Sequence, residues 1–289
     1  MSTACGRFAP SPTGPLHMGS LLAATASFLD ARSQGIPWRL RIDDIDTPRT
    51  VPGAANDIIR TLADHELHWD GPVAWQSRHA ADYEAALNTL TAAGRTFYCR
   101  CSRRQLRGIT VYPGTCRQQR NPAPDTAIRL EVADADPGFV DRIQGRQQNR
   151  LNETVGDFIV KRRDGLIAYQ LATAVDDGNV EIAQVVRGAD LLDNTPRQLY
   201  LMQLLNLEAP SYAHIPTLVN AAGQKLSKQY HAAPVDNTNA RENLYLALCL
   251  LGQDPPAESR FSSCEELLGW GIGNWFIDAI PRVKKLPAP

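Results

Sequence analysis

The stretch Gly6-Arg-Phe-Ala-Pro-Ser-Pro-Thr-Gly-Pro-Leu-His-Met-Gly-Ser20 reads as a short strand, a turn-rich loop and the start of a helix. Leu21, Leu22, Thr25, Phe28 and Leu29 then recur at helical spacing, with Ser20 placed to cap the helix and Gly35 to stop it. A loop that runs into a helix N-terminus offers unpaired N–H groups and a partial positive charge to an anion. Gly19 lets the backbone approach a ligand closely, and His17 sets a donor beside it. The arrangement predicts a phosphate site, although proline-rich loops also precede helices that bind nothing. Far downstream, Val219-Asn-Ala-Ala-Gly-Gln-Lys225-Leu-Ser-Lys-Gln229 follows an apolar run and sets two lysines in a glycine-containing polar loop. Alone it reads as a solvated turn.

Trp38-Arg-Leu-Arg-Ile42 alternates apolar and charged residues before Asp43 and Asp44, as a strand ending at a polar rim does. Residues 53–68 and 79–94 read as helices, with Gly71-Pro72 between them and Gly94 closing the second. This alternation predicts an α/β fold, a Rossmann-like doubly wound parallel sheet, in which Asp43 and the residues after Arg7-Phe8-Ala9 face one crevice. From Phe97 the periodicity is lost until Ala127-Ile-Arg-Leu-Glu131, which predicts an inserted subdomain. It continues through Gly156-Asp-Phe-Ile-Val160 and the turn Arg163-Asp-Gly165, read as a hairpin. Leu166 to Val175 is a strand or a helix start, Asp193-Asn-Thr-Pro196 opens a helix through Leu205, and Ala240 to Leu251 and Ser263 to Leu268 are helical. The expected organisation is residues 1–98 as the first half of the sheet fold, 99–165 as the insertion, 166–235 as the second half with the lysine loop, and 236–289 as a short C-terminal helical region.

At 289 residues with 43% hydrophobic content, the chain can bury a sizeable core. A formal net charge of −1 gives no general attraction for nucleic acid, so any RNA contact must use a local basic surface. No apolar run reaches the length of a membrane span, and the first residues lack the pattern of a secretory signal, so a cytoplasmic protein with no membrane contact is expected. Cys5, Cys99, Cys101, Cys116, Cys249 and Cys264 are too few for a disulfide scaffold, and reduced thiols are expected.

Taken together, His17-Met-Gly19 and Lys225-Leu-Ser-Lys228 resemble the paired signatures of class I aminoacyl-tRNA synthetases, in order and in separation. Arg7-Phe-Ala-Pro-Ser11, Leu40-Arg-Ile-Asp-Asp-Ile-Asp46, Tyr169-Gln-Leu-Ala and Val186-Arg-Gly-Ala-Asp190 narrow the resemblance to the glutamyl-tRNA synthetase subgroup, over residues from about 6 to 230. Only Tyr230 to Pro289 follow, where a bacterial glutamyl-tRNA synthetase would continue into anticodon-binding domains. This shortened form resembles the glutamyl-queuosine tRNA(Asp) synthetases, a paralogous family that attaches glutamate to a modified base in the anticodon loop.

The resemblance implies a ligase that activates L-glutamate with ATP, Mg²⁺ accompanying the nucleotide, and transfers it to tRNA(Asp) bearing queuosine; a monomer is expected. It implies His17 and Lys228 as catalytic groups with Lys225 assisting, and His17, Gly19, Ser20, Lys225, Ser227 and Lys228 around ATP. Adenylation is mainly positioning and charge stabilisation, so cations and N–H donors are what it needs. Glutamate would be held by Arg7, Ala9, Ser11, Asp43, Tyr169 and Arg187. Arginine suits that task because its planar fork grips a carboxylate with two parallel hydrogen bonds. Three positions depart from the usual pattern: Ser20 replaces the second His of His-x-Gly-His, Gln229 ends the lysine signature, and Asp43 stands where many relatives have Glu.

Cys99-Arg-Cys101 with Tyr112-Pro-Gly-Thr-Cys116 reads by spacing rules alone as an incomplete metal site or as three unrelated thiols. The resemblance implies one structural Zn²⁺ on Cys99, Cys101, Tyr112 and Cys116. Arg100, Arg103, Arg104, Arg107, Arg117 and Arg120 surround it with no acid between Cys99 and Pro124, which makes either an RNA-facing cationic surface or a solvated loop face. The competing readings are a truncated glutamyl-tRNA synthetase charging the 3′ end of tRNA(Glu), a non-catalytic tRNA-binding paralogue, and a small-molecule nucleotidyltransferase.

Overall fold

A computed structural model describes residues 4–132, 136–179, 181–220, 222–226 and 233–288. The first part of the chain alternates strand and helix: β1 (Cys5–Phe8), α1 (Met18–Ser33), β2 (Trp38–Ile42), α2 (Ala54–Asp64), β3 (Ala74–Trp75) and α3 (Ala80–Ala92). The middle part holds β4 (Thr96–Cys99), β5 (Ala127–Leu130), the ribbon β6 (Phe139–Asp141) and β7 (Gly145–Gln147), the single turn α4 (Leu151–Thr154) and β8 (Phe158–Lys161). Then follow α5 (Tyr169–Asp177), β9 (Ile182–Gly188), α6 (Thr195–Leu205), β10 (Ser211–Ile215), β11 (Thr217–Val219), α7 (Ala240–Leu250), α8 (Cys264–Asn274) and β12 (Lys285–Pro287).

Strands β10, β9, β1, β2 and β3 form one sheet in that order, and every pairing in it is parallel. The expected doubly wound α/β sheet is therefore present. Its first strand lies at the centre, with the chain winding outward to β2 and β3 on one side and returning to β9 and β10 on the other. That reversal leaves a crevice at the carboxyl ends of β1 and β9, where open α/β sheets take their ligands. A separate antiparallel sheet, β4-β5-β8, is built from the middle of the chain.

Trp38 shows how the first half is fastened. Its ring is fully buried, meets Phe28 edge-on at 5.3 Å, and donates its indole N–H to Ser27 Oγ at 2.8 Å. Ser27 Oγ in turn donates to the carbonyl of Arg7 at 2.9 Å, so α1, β1 and β2 share one polar thread through an apolar layer of Phe8, Leu40, Ile58, Leu62 and Leu248. A buried Trp needs such a partner for its N–H. A second layer, with Leu90, Leu130, Phe158, Leu171 and Leu201, packs α3, α5 and α6 against the antiparallel sheet.

Several boundaries differ from the sequence reading. His17, not Ser20, caps α1: the helix starts at Met18 and the His17 side chain accepts the Ser20 N–H, which places Ser20 within the first turn. Gly35 does end the helix, with a φ of +66° that other residues resist. The helix over 53–68 stops at Asp64 because Glu66 takes a φ of +56° and the Leu67 N–H turns back to the Leu62 carbonyl. The turn at Arg163-Asp-Gly165 forms, yet only Ile167 pairs across to Lys161 before the chain enters α5, so the hairpin is one bridge long. Burial of Leu171, Ala172 and Ala174 at helical spacing outweighs strand extension there. The helix begun at Ser263 runs on to Asn274. No helix among the described residues is long and apolar enough to cross a membrane.

Candidate active site

At the crevice, Asp177 at the end of α5 accepts Arg7 Nε at 3.0 Å and Arg41 Nη1 at 2.7 Å, all three side chains being buried. Arg41 also grips Asp43 side-on, at 2.7 and 3.3 Å, and Asp176 lies 3.6 Å from its Nε. Burial pushes the Asp177 carboxyl up, but Arg7 and Arg41 outweigh it and hold Asp177 well below the usual carboxylate range. Asp43 goes the other way. Burial, reinforced by Asp176 and Asp177 and opposed by Arg41, raises it to about 6. Three buried carboxylates against two guanidinium groups leave a negative surplus beside Asp43, which suits a ligand's ammonium group.

Arg187, near the end of β9, is buried and differently placed. Its Nη2 donates to Thr195 Oγ1 at 2.8 Å and to Gln198 Oε1 at 2.7 Å, and its Nε donates to His214 Nε2 at 3.0 Å. Its Nη1 is buried with no hydrogen-bond partner among the described residues. Among the described residues no carboxylate pairs with Arg187. A guanidinium keeps its charge in any protein, so a buried one without an acid calls for an anionic ligand. Tyr212 lies under it, 5.2 Å from guanidinium carbon to ring centre. Tyr169, the first residue of α5, is close enough to Arg7 and Tyr212 to influence the ionisation of both.

The loop from Ala9 to His17 is pinned to the second strand and beyond, Asp43 N–H donating to the Pro10 carbonyl at 3.0 Å and Val51 N–H to that of Pro12 at 2.9 Å. Ser11 is exposed and Ala9 half-buried above the crevice. His17 and Gly19 stand together at the α1 N-terminus, and a side chain on Gly19 would come within 3.2 Å of the His17 ring. The Ser20 hydroxyl lies 3.2 Å from His17 Nε2. Lys225 pairs with Asp190 at 2.5 Å, three residues beyond Arg187 on the same strand exit. The chain that follows the lysine loop returns here, since His17 bridges to Pro234 and Val235 N–H donates to the Leu16 carbonyl. Ser227, Lys228 and Gln229 lie outside the described residues.

Of the expected glutamate set, Arg7 and Asp43 belong to one ion cluster and Arg187 to a separate set of contacts; sequence reading missed Arg41, Asp176 and Asp177, which hold the first two. A signal existed: Arg41 lies in a strand that the parallel sheet covers, where a charge requires a buried partner.

Away from the crevice, Cys99, Cys101 and Cys116 hold their sulfurs within 4.8 Å of one another, a group that can hold a metal ion. The Tyr112 hydroxyl lies 3.4 Å from Cys99 Sγ and 3.7 Å from Cys101 Sγ, so four donors converge. Burial raises the Cys99 thiol, but hydrogen bonds with Tyr112 and Arg129 outweigh it and bring it down to about 7. Gly156, at a φ of +67°, lets the backbone pass over Tyr112, where a Cβ would stand 2.7 Å from the Tyr112 carbonyl oxygen. Of the nearby arginines, Arg117 is held by Asp157 and Arg120 by Glu131, whereas Arg100, Arg103, Arg104 and Arg107 are exposed and make no ion pair among the described residues.

Replacing Asp177 by Asn is expected to leave Arg7 and Arg41 without their shared carboxylate and to destabilise the protein by about 3–5 kcal/mol, read from urea unfolding. Because the folded-state pKa of Asp177 is depressed, its contribution is complete above the ordinary carboxylate range and is lost as pH falls through and below it; the Asn variant should lose that component of the acid sensitivity.

Comparison with known proteins places this geometry. Residues 4–268 match the family described as tRNA synthetases class I (E and Q), catalytic domain. The chain is 49% identical over 288 residues to the glutamyl-Q tRNA(Asp) synthetase of Ectopseudomonas mendocina, covering 99% of this chain and 98% of that one. It is 50% identical over 297 residues to that of Thiobacillus denitrificans, covering 98% of each chain. Among solved structures, a glutamate-tRNA synthetase from Elizabethkingia anophelis matches with a TM-score of 0.80 at 23% identity, over 99% of this chain and 68% of that one. A glutamate tRNA ligase from Elizabethkingia meningosepticum matches at 0.78 and 23%, over 97% of this chain and 66% of that one. These two establish the fold alone, and this chain spans about two thirds of their length. The chain belongs to the class I glutamyl- and glutaminyl-tRNA synthetase family, in the group of the glutamyl-Q tRNA(Asp) synthetases.

Proposed function

We propose that this chain activates L-glutamate with ATP and transfers it to the queuosine base in the anticodon loop of tRNA(Asp). The observation that carries the amino-acid half is the buried Arg187 guanidinium, which has no acid partner among the described residues, together with the negative surplus at Asp43. The RNA half is supported by near full-length similarity to relatives named for that reaction.

In the first step the α-carboxylate of glutamate attacks the α-phosphorus of ATP and expels pyrophosphate. Arg187 takes the side-chain carboxylate through Nη1, Asp43 accepts the ammonium group, and Tyr169, Ala9 and Ser11 complete the pocket. Arg7 lends positive charge while Asp177 fixes its direction. The N–H groups at the start of α1, with His17, Gly19 and Ser20, face the phosphates, and Lys225, Ser227 and Lys228 supply the remaining donors and charge from the lysine loop. Mg²⁺ accompanies the nucleotide and neutralises phosphate charge. In the second step a hydroxyl on the queuosine cyclopentene ring attacks the activated carbonyl, giving an ester on the base and releasing AMP. Cys99, Cys101, Cys116 and the Tyr112 oxygen form a donor set that fits one tetrahedral structural Zn²⁺, and the unpaired arginines beside it offer phosphate contacts to RNA.

Labelled glutamate and ATP, offered with tRNA from cells able or unable to make queuosine, should label only the queuosine-containing pool. Equal labelling of both would point to charging of a 3′ end instead. Arg187→Ala should raise the KM for glutamate by roughly two orders of magnitude while changing that for ATP little, since a charge-assisted hydrogen bond to the carboxylate is lost; equal effects on both would remove Arg187 from the glutamate pocket. Protein purified without added metal should carry close to one zinc per chain, and Tyr112→Phe should bind it more weakly, as competition with a chromogenic chelator would reveal.

A further inference from the structure

Behind Arg187 runs a line of buried groups with no part in the contacts assigned above. His214 on β10 sits in register with Arg187 on β9, and both residues are buried. Its Nε2 accepts the Arg187 Nε–H at 3.0 Å, and Thr195 Oγ1 lies 3.1 Å from the same nitrogen. On its other side, His214 Nδ1 is 2.6 Å from Oδ2 of Asp141, the last residue of β6. The second carboxylate oxygen of Asp141 is fully committed to backbone. Oδ1 accepts the N–H groups of Ile143 at 3.0 Å, Gln144 at 2.8 Å and His214 at 3.1 Å.

This geometry settles where the imidazole proton sits. Arg187 can only donate, so Nε2 must offer its lone pair and the proton must be on Nδ1, facing Asp141. Burial lowers the His214 pKa to about 4, with Arg187 adding to the fall and Asp141 opposing it, so the ring stays neutral near pH 7. With Nε fixed by His214 and Nη2 by Thr195 and Gln198, only Nη1 of Arg187 is left for a ligand. The guanidinium is a rigid plane, so holding Nε by His214 and Nη2 by Thr195 and Gln198 fixes the direction in which Nη1 points.

We propose that Asp141 and His214 are positioning residues, which fix one imidazole tautomer so that Arg187 presents Nη1 to the side-chain carboxylate of glutamate, and that this relay helps the site prefer glutamate to glutamine. The proposal rests on the reading of Arg187 as the glutamate-binding cation.

The test is Asp141→Asn. Three backbone N–H groups converge on Oδ1, so the amide oxygen must stay there and its NH₂ must take the place of Oδ2. His214 then has to accept at Nδ1 and carry its proton on Nε2, against the Arg187 Nε–H. Two donors face each other, and Arg187 is displaced. The KM for glutamate should rise on the order of ten- to a hundredfold and the preference for glutamate over glutamine should fall by a similar factor. The KM for ATP should stay within about twofold, as expected when one substrate's contact is lost.

A purely structural role predicts that both KM values are disturbed together. Folded Asp141→Asn protein with unchanged glutamate KM and preference would overturn the proposal. If Asp141→Asn does not fold, His214→Gln and His214→Leu decide: the first should keep the glutamate KM within about threefold, the second should raise it at least about tenfold, and equal effects refute the relay. An Arg187→Ala variant with an unchanged glutamate KM would instead remove the reading on which the proposal rests, whereas a raised one beside a neutral Asp141→Asn removes the relay alone.

Discussion

Asp177 is bound by two guanidinium groups, Arg7 from β1 and Arg41 from β2, at a point where the sheet has no water to offer. Each arginine is flanked along its strand by residues without polar side chains, Gly6 and Phe8 or Leu40 and Ile42, and each would be costly to bury alone. The shared carboxylate joins the two strands to α5 and fixes the directions in which the arginines point. Because Arg41 then holds Asp43, the placement of the one carboxylate left with a surplus of negative charge also depends on Asp177. The candidate amino-acid pocket is the exposed side of this ion cluster.

Two opposite charge imbalances share the crevice. Around Asp43 the acids outnumber the bases; around Arg187 a base lacks an acid among the described residues. An amino acid carries an ammonium group and at least one carboxylate and so matches both at once, which a simple phosphate does not. The parallel sheet creates the opportunity, because the winding reverses beside β1 and leaves the ends of β1 and β9 uncovered.

Much of this was legible in the sequence where a residue's role is local. The strand and loop from Arg7 to His17, the strand Trp38–Ile42 ending at Asp43, and the stop at Gly35 follow from turn chemistry and periodicity within a few residues. The cap on α1 was misplaced by three residues because His17 is an uncommon cap, and its ring does what the nearby serine was expected to do. Asp177 was invisible for another reason: it lies 170 residues from Arg7 and 136 from Arg41, and nothing in an apolar helix ending in two acids announces which strands it will meet. His214 was hidden in the same way, since its meaning comes from Arg187 on the neighbouring strand and from Asp141 in a separate ribbon. Pattern reading finds what a segment does with its own neighbours; buried charge networks are settled by the fold.

The ion pair between Lys225 and Asp190 ties the lysine loop to the exit of β9, the strand that also carries Arg187. On the proposed assignments, one short piece of backbone therefore serves both substrates, gripping the amino acid from its buried side and tethering the nucleotide's loop from its exposed side. Binding that draws Arg187 inward acts on Asp190 three residues later, and a phosphate that takes Lys225 from Asp190 releases the same backbone. Linkage makes such an influence reciprocal: whatever factor glutamate imposes on the affinity for ATP, ATP must impose on the affinity for glutamate.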